Sequence, residues 1–298
     1  MTTRISLTAG SYRTELLPEV GGSMASFAWK HPQLGWIELM RPTPSGAGTP
    51  AIGETANFPL VPFANRLRDS RFTFRGRTVQ FPAGPIGKHY LHGTAWLKPW
   101  TVERSGTGAA RLTHRHEPDA WPWAFDTAQD FSLDSGGLTL RMSAKNRSSE
   151  PMPFGFGLHP YFPRTPLCRL DAHVEGWWEG DDEVMPTRLT GVKPDIDPRR
   201  GLTISSVVCD NAFTGWNGTA KITWPERGTS LTMTAPASVF GVLFLYVPPG
   251  LDHFCVEPNS HFADAFNMAA AGRTDTGMMV LEPGQEVSAE VRFQASSE

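Results

Sequence analysis

Apolar side chains in this sequence recur every second residue, in short runs broken by turn-forming residues. In RFTFRGRTVQF, Phe72, Phe74, Val79 and Phe81 alternate with polar residues about Gly76, which predicts a hairpin with one buried face. In DFSLDSGGLTLRM, Phe131 and Leu133 precede a DSGG turn, and Leu138, Leu140 and Met142 resume the alternation after it. Asn217-Gly218 marks a further turn ahead of Ile222 and Trp224, and Val287, Ala289, Val291 and Phe293 alternate near the end. The 29 glycines and 26 prolines are spread through the chain, which opposes long helices. One short helix is expected around residues 263–271, and no apolar repeat persists at helical spacing.

Signals of this kind over 298 residues predict an all-β chain, a large antiparallel β-sandwich or barrel. No linker is visible. Residues 179–200 (EGDDEVMPTRLTGVKPDIDPRR) read as a long surface loop, because strand patterning continues on both sides, so residues 1–298 are expected to form a single domain. A net charge of −3 argues against nucleic acid as a partner. The N-terminal MTTRISLTAGSYRTEL lacks the basic and apolar regions of a signal peptide. The apolar run VFGVLFLYV, closed by Pro248-Pro249-Gly250, is half the length of a membrane span and reads as a buried strand. A cytoplasmic protein without a membrane partner, a monomer or homodimer, is therefore expected. Cys168, Cys209 and Cys255 lack CxxC spacing and suggest neither a disulfide framework nor a zinc knuckle.

Four segments place polar residues between apolar strands: PFANRLRDSRF, HYLHGTAW, GFGLHPYF and CVEPNSHFADAFN. Their chemistry-bearing residues are Arg66, His92, His159 and Glu257. Glu257 follows the apolar Phe254-Cys255-Val256, and a carboxylate at the end of a buried strand needs partners or a substrate. Alternation in GFGLHPYF turns His159 away from Leu158, and Pro160 ends the strand pairing there. Gly155 and Gly157 suggest space beside His159, a close approach, or a bulge. A histidine fixed on a rigid strand beside open space is placed as a proton donor.

PFANR, LHG, GLHPYF, DNAFTGW and VEPNSHFADAFN, in this order and spacing, resemble the aldose 1-epimerases, also called galactose mutarotases. The resemblance implies a galactose mutarotase-like supersandwich, a sugar substrate, and neither metal nor organic cofactor. It assigns Glu257 as the base that removes the anomeric hydroxyl proton and His159 as the acid that protonates the ring oxygen. His92 becomes a second histidine near that oxygen, Asn65 and Arg66 become binders of sugar hydroxyls, and Asp210 matches an aspartate that binds ring hydroxyls. Trp123, in AWPWAF, is a candidate platform for a sugar face, with plain core as the alternative.

A neutral aldohexose such as galactose or glucose is the preferred substrate reading. Arg66, Arg68 and Arg71 beside Lys88 and His89 would also suit an anionic sugar, sulfoquinovose or a hexose phosphate. Two further readings stand beside these. One is a non-catalytic carbohydrate-binding protein. The other is a metal-dependent cupin built on His114, His116 and Glu117, against which a solvated strand edge is preferred.

Overall fold

The computed structural model describes residues 2–46, 48–82, 84 and 87–298. The alternation resolves into antiparallel sheets. A nine-stranded sheet runs, in spatial order, Thr101–Ser105, Ala109–His116, Phe125–Asp134, Gly137–Asn146, Glu286–Ser297, Thr229–Thr234, Thr219–Trp224, Arg169–Ala172 and Leu202–Thr203. An eight-stranded sheet runs Pro186–Gly191, Gly176–Gly180, Cys209–Thr214, Val242–Val247, His253–Asn259, Gly157–Leu158 and Pro59–Leu60, with Tyr161–Pro163 also paired to His253–Asn259. Residues 5–40 add a four-stranded meander.

Alternate residues of the two large sheets meet in one core. Phe131, Leu133, Leu138 and Leu140 from the nine-stranded sheet share a buried cluster with Phe213, Leu243, Leu245, Phe254 and Val256 from the eight-stranded one. Burial of each such side chain is worth about 1.5–3 kcal/mol against the chain entropy lost in folding. The chain is thus a large antiparallel β-sandwich, as the alternation predicts. The period of two also turns Asp210, Tyr246, Phe244, Cys255 and Glu257 to the face opposite that core. On that face Asp210 pairs with Tyr246, Tyr246 with Cys255, and Phe244 with Glu257.

Two expectations are modified. The helix spans only Ala265–Ala270, because Asp264 at φ 58° and Gly272 at φ 94° hold left-handed backbone on either side of it. Residues 179–200 are not all loop: Pro186–Gly191 pairs with Gly176–Gly180 as an edge strand. Most of its side chains are exposed, so it carries no alternation to read. Asn217-Gly218 lies in the turn expected ahead of Ile222 and Trp224, which carries the chain from Cys209–Thr214 in the eight-stranded sheet to Thr219–Trp224 in the nine-stranded one. No helix among the described residues is long and apolar enough to cross a membrane.

Candidate active site

His159 follows the two-residue strand Gly157–Leu158 and lies against the centre of the eight-stranded sheet. Phe58 and Tyr161 both stack against its ring, each with ring centroids 4.7 Å from it and 6.2 Å from each other. Trp96 continues the stack beyond Phe58, and the Arg41 guanidinium lies 4.1 Å from the Tyr161 ring centroid. The Nε2 of His159 is 3.3 Å from Oε1 of Glu257, which projects from His253–Asn259. Both groups are almost wholly buried. Burial pushes the imidazole down to about 3 and the carboxyl well above its ordinary range, while the Asn259 amide, 3.4 Å from Glu257 Oε2, opposes the latter. Neither group favours being ionised alone, so the least costly state of the buried pair is one that carries a single proton.

His92 meets this pair edge-on, with ring centroids 5.2 Å apart. The strand Arg66–Leu67 pairs with Tyr90–Leu91, which sets Asn65 beside His92. Both residues hold left-handed backbone, φ 59° and 62°, and they lock each other. The Asn65 N–H donates to His92 Nδ1 at 3.1 Å, and the His92 N–H donates to the Asn65 carbonyl at 3.0 Å. Because Nδ1 accepts, neutral His92 carries its proton on Nε2. Burial, then the neighbouring His159 and Arg66, hold it well below the usual imidazole range, so it stays a fixed donor.

Arg66 reaches across to Asp210 Oδ2 at 3.1 Å, joining the loop to the strand Cys209–Thr214. Burial raises the Asp210 carboxyl and the arginine pulls it back. Asn65 Oδ1 accepts the Arg66 N–H at 2.7 Å, which leaves the Asn65 amide NH2 as its free polar end. These residues line one cleft of about 380 Å³ together with Phe58, Leu91, Phe244 and Tyr246. That volume takes one pyranose ring. The structure thus brings His159, Glu257, His92, Asn65, Arg66 and Asp210 together.

Trp123 is not brought there. It is buried between Phe72, Phe74 and Trp121, with Arg77 above its ring, so the platform expectation gives way to plain core. The basic cluster is also elsewhere and is compensated. Arg68 bonds Asp264, Lys88 bridges Asp69 and Glu183, and His89 meets Glu183; of the five basic residues, only Arg66 lines the cleft. The glycines of GFGLHPYF do not leave space beside His159. A Cβ on Gly155 would overlap the His261 ring, and one on Gly157 would overlap Asn259 Oδ1. His114 and His116 face separate backbone carbonyls, of Pro99 and Trp121, and form no metal-ligating group among the described residues.

The sequence signal missed the π partners of His159, the Tyr246 phenol in the cleft, and His261. Period two from His159 reaches Tyr161, but Pro160 interrupts the strand and hides it. His261 is fully buried: Nδ1–H donates to the Phe262 carbonyl at 2.8 Å, and Nε2 accepts the Ala64 N–H at 3.1 Å, anchoring the loop that carries Asn65 and Arg66. Only a neutral ring does both, and burial holds it at about 4, against 6.5 when unperturbed. Because the folded value is depressed, its contribution is complete above the unfolded pKa and is lost as pH falls from about 6.5 to about 4. That loss is about 3 kcal/mol for this group. Urea unfolding at about pH 7.5 and pH 4.5 is expected to show a flatter pH dependence in His261→Gln, which retains an acceptor but does not titrate. Equal slopes in the two proteins would remove His261 from this role.

A carboxyl and an imidazole thus meet in one cleft of a large antiparallel sandwich. The uncharacterized protein YphB of Escherichia coli (strain K12) is 31% identical over 298 residues, covering 97% of each chain. A crystal structure of an Escherichia coli K12 protein superposes with a TM-score of 0.89 at 28% identity over 100% of both chains. A galactose mutarotase-like protein from Clostridium acetobutylicum gives 0.87 at 19% identity, covering 100% of this chain and 96% of that one. The model of the family described as Aldose 1-epimerase matches residues 3–294. The chain belongs to the aldose 1-epimerase family, whose members are isomerases acting on sugars.

Proposed function

We propose that the protein interconverts the α and β anomers of a neutral aldohexose such as galactose or glucose, with His159 and Glu257 as its acid/base pair. The observation that carries this reading is their 3.3 Å contact on the floor of the cleft. Glu257 takes the proton from the anomeric hydroxyl while His159 gives one to the ring oxygen, and the C1–O5 bond breaks to leave the open aldehyde. C1 then rotates relative to C2, and closure from the other face reverses both transfers. With the ring closed the pair is carboxylate and imidazolium; with the ring open it is carboxylic acid and neutral imidazole. Its net charge never changes, so the burial that penalises either ion alone does not oppose turnover. The π faces of Phe58 and Tyr161 favour the transient imidazolium. The Nε2–H of His92 supplies a neutral donor to the ring oxygen or the hydroxyl next to it.

The neutral substrate follows from charge. Arg66, the cation lining the cleft among the described residues, is already met by Asp210, so a hydroxyl pair finds both a donor and an acceptor, whereas an anionic substituent meets a carboxylate. Polarimetry or NMR exchange should show accelerated mutarotation of galactose or glucose, with kcat/KM at least about tenfold above that for the 6-phosphate or 6-sulfonate analogue. Asp210→Asn should raise KM for the neutral sugar by about tenfold and narrow the gap to the anions. A wild-type preference for the anionic sugars would overturn the neutral assignment.

A further inference from the structure

We propose that His159, Cys255 and Glu257 together bind a thiophilic divalent cation such as zinc, and that the bound ion shuts the acid/base site. Cys255 and Glu257 are two residues apart on His253–Asn259 and project to the same face. Cys255 pairs with Tyr161, whose ring stacks on that of His159. One ligand atom from each of the three residues lies within 4.8 Å of the other two, and the imidazole and carboxylate atoms are already 3.3 Å apart. Tetrahedral zinc, with bonds of about 2.0–2.3 Å, needs donor atoms about 3.3–3.8 Å apart, so the sulfur has to move by no more than about 1 Å. His159 and Glu257 line the cleft, so a water or a sugar oxygen from it can complete the shell. Imidazole, thiolate and carboxylate combine the donor types that zinc and cobalt favour.

Charge supports the same arrangement. A thiolate and a carboxylate around a doubly charged ion leave the buried site neutral, whereas either anion alone there is costly. Binding is balanced by release of two protons: the Cys255 thiol loses one, and the single proton shared by Glu257 and His159 leaves as Nε2 and a carboxylate oxygen turn to the metal. An occupied site has neither the base nor the acid free, so the cation and the sugar reaction exclude each other.

Cobalt is the direct probe, because its thiolate bond gives a near-ultraviolet charge-transfer band whether or not the mutarotase reading holds. Titration of the full chain with cobalt should develop that band at one equivalent and release about two protons in weak buffer near pH 7.5. Cys255→Ser should lose the band. Zinc should suppress wild-type mutarotation by at least about tenfold, reversibly with chelator, and Cys255→Ser should keep its metal-free activity and need at least about tenfold more zinc for the same inhibition. Cobalt bound without the band, release of fewer than about two protons, or equal zinc sensitivity in the two proteins would overturn the site. The proton count is read on the wild type, so the test survives a poorly folding variant.

Discussion

Replacing Glu257 with glutamine is expected to cut kcat/KM for anomer interconversion by about 10³-fold, the range of one lost proton-transfer group, while leaving the sandwich folded. The amide keeps the shape of the carboxyl and its contact with Asn259, but it cannot take a proton from the anomeric hydroxyl. His159→Gln should fall by a similar factor, because the pair transfers its protons together. The double variant should then be no worse than the weaker single variant, since groups acting as a unit give non-additive losses. The stability outcome separates catalysis from structure. Burial raises the Glu257 pKa above its unfolded value, so its contribution is complete below the unfolded pKa and is lost as pH rises through the folded one. At pH 8 the neutral amide should therefore be at least as stable as the native carboxyl. NMR exchange on both sugar anomers and a urea melt check the two halves. Either single variant retaining more than about a tenth of wild-type activity would remove that residue from the pair.

A large loss of stability is expected at Gly157. Its backbone pairs with Leu60 on one side and Asn259 on the other, so it sits inside the sheet with strands on both flanks. A Cβ there overlaps Asn259 Oδ1 and crowds the Pro258 carbonyl, and the backbone cannot yield without breaking a ladder. Gly157→Ala should cost about 3 kcal/mol, and Gly157→Val should fail to fold. Gly155→Ala should also be costly, because its Cβ displaces the His261 ring from the Ala64 N–H. Gly191, at the end of the edge strand, has nothing within 4 Å of its would-be Cβ and is the control. Gly191→Ala should shift stability by no more than about 0.5 kcal/mol. Urea midpoints for the four proteins test this, and a Gly157→Ala melt indistinguishable from wild type would show that the sheet can move aside.

Much of this was legible because a half-buried strand announces itself by alternation. Phe72 to Phe81 and Phe131 to Met142 form the hairpins that their spacing predicts. The edge strand Pro186–Gly191 was not legible, since a strand paired on one side and mostly exposed has no apolar period. In the site, the resemblance to the aldose 1-epimerases selected the six residues that meet in the cleft. It could not separate a tryptophan facing sugar from one facing core, because Trp123 has the same apolar neighbours either way. Nor could it show that Arg68 and Lys88 are neutralised by Asp264 and Glu183, which come from remote parts of the chain. For the glycines of GFGLHPYF the alternatives of open space, close approach and bulge could not be separated, because what approaches them comes from residues 259–261, about a hundred positions later.

The nine-stranded sheet has one more consequence. Glu286–Ser297, the last strand in chain order, is not at an edge but between Gly137–Asn146 and Thr229–Thr234. The two halves of that sheet are joined only when this strand arrives, and the partners it closes are separated by long stretches of chain. Folding is therefore dominated by late, non-local pairing, which is slow and leaves unpaired strand edges exposed while it waits. Until it finishes, the opposite sheet lacks the surface on which its core face packs. Nascent chains would then depend on protection from aggregation for longer than the residues of the cleft, all earlier in the sequence, would suggest.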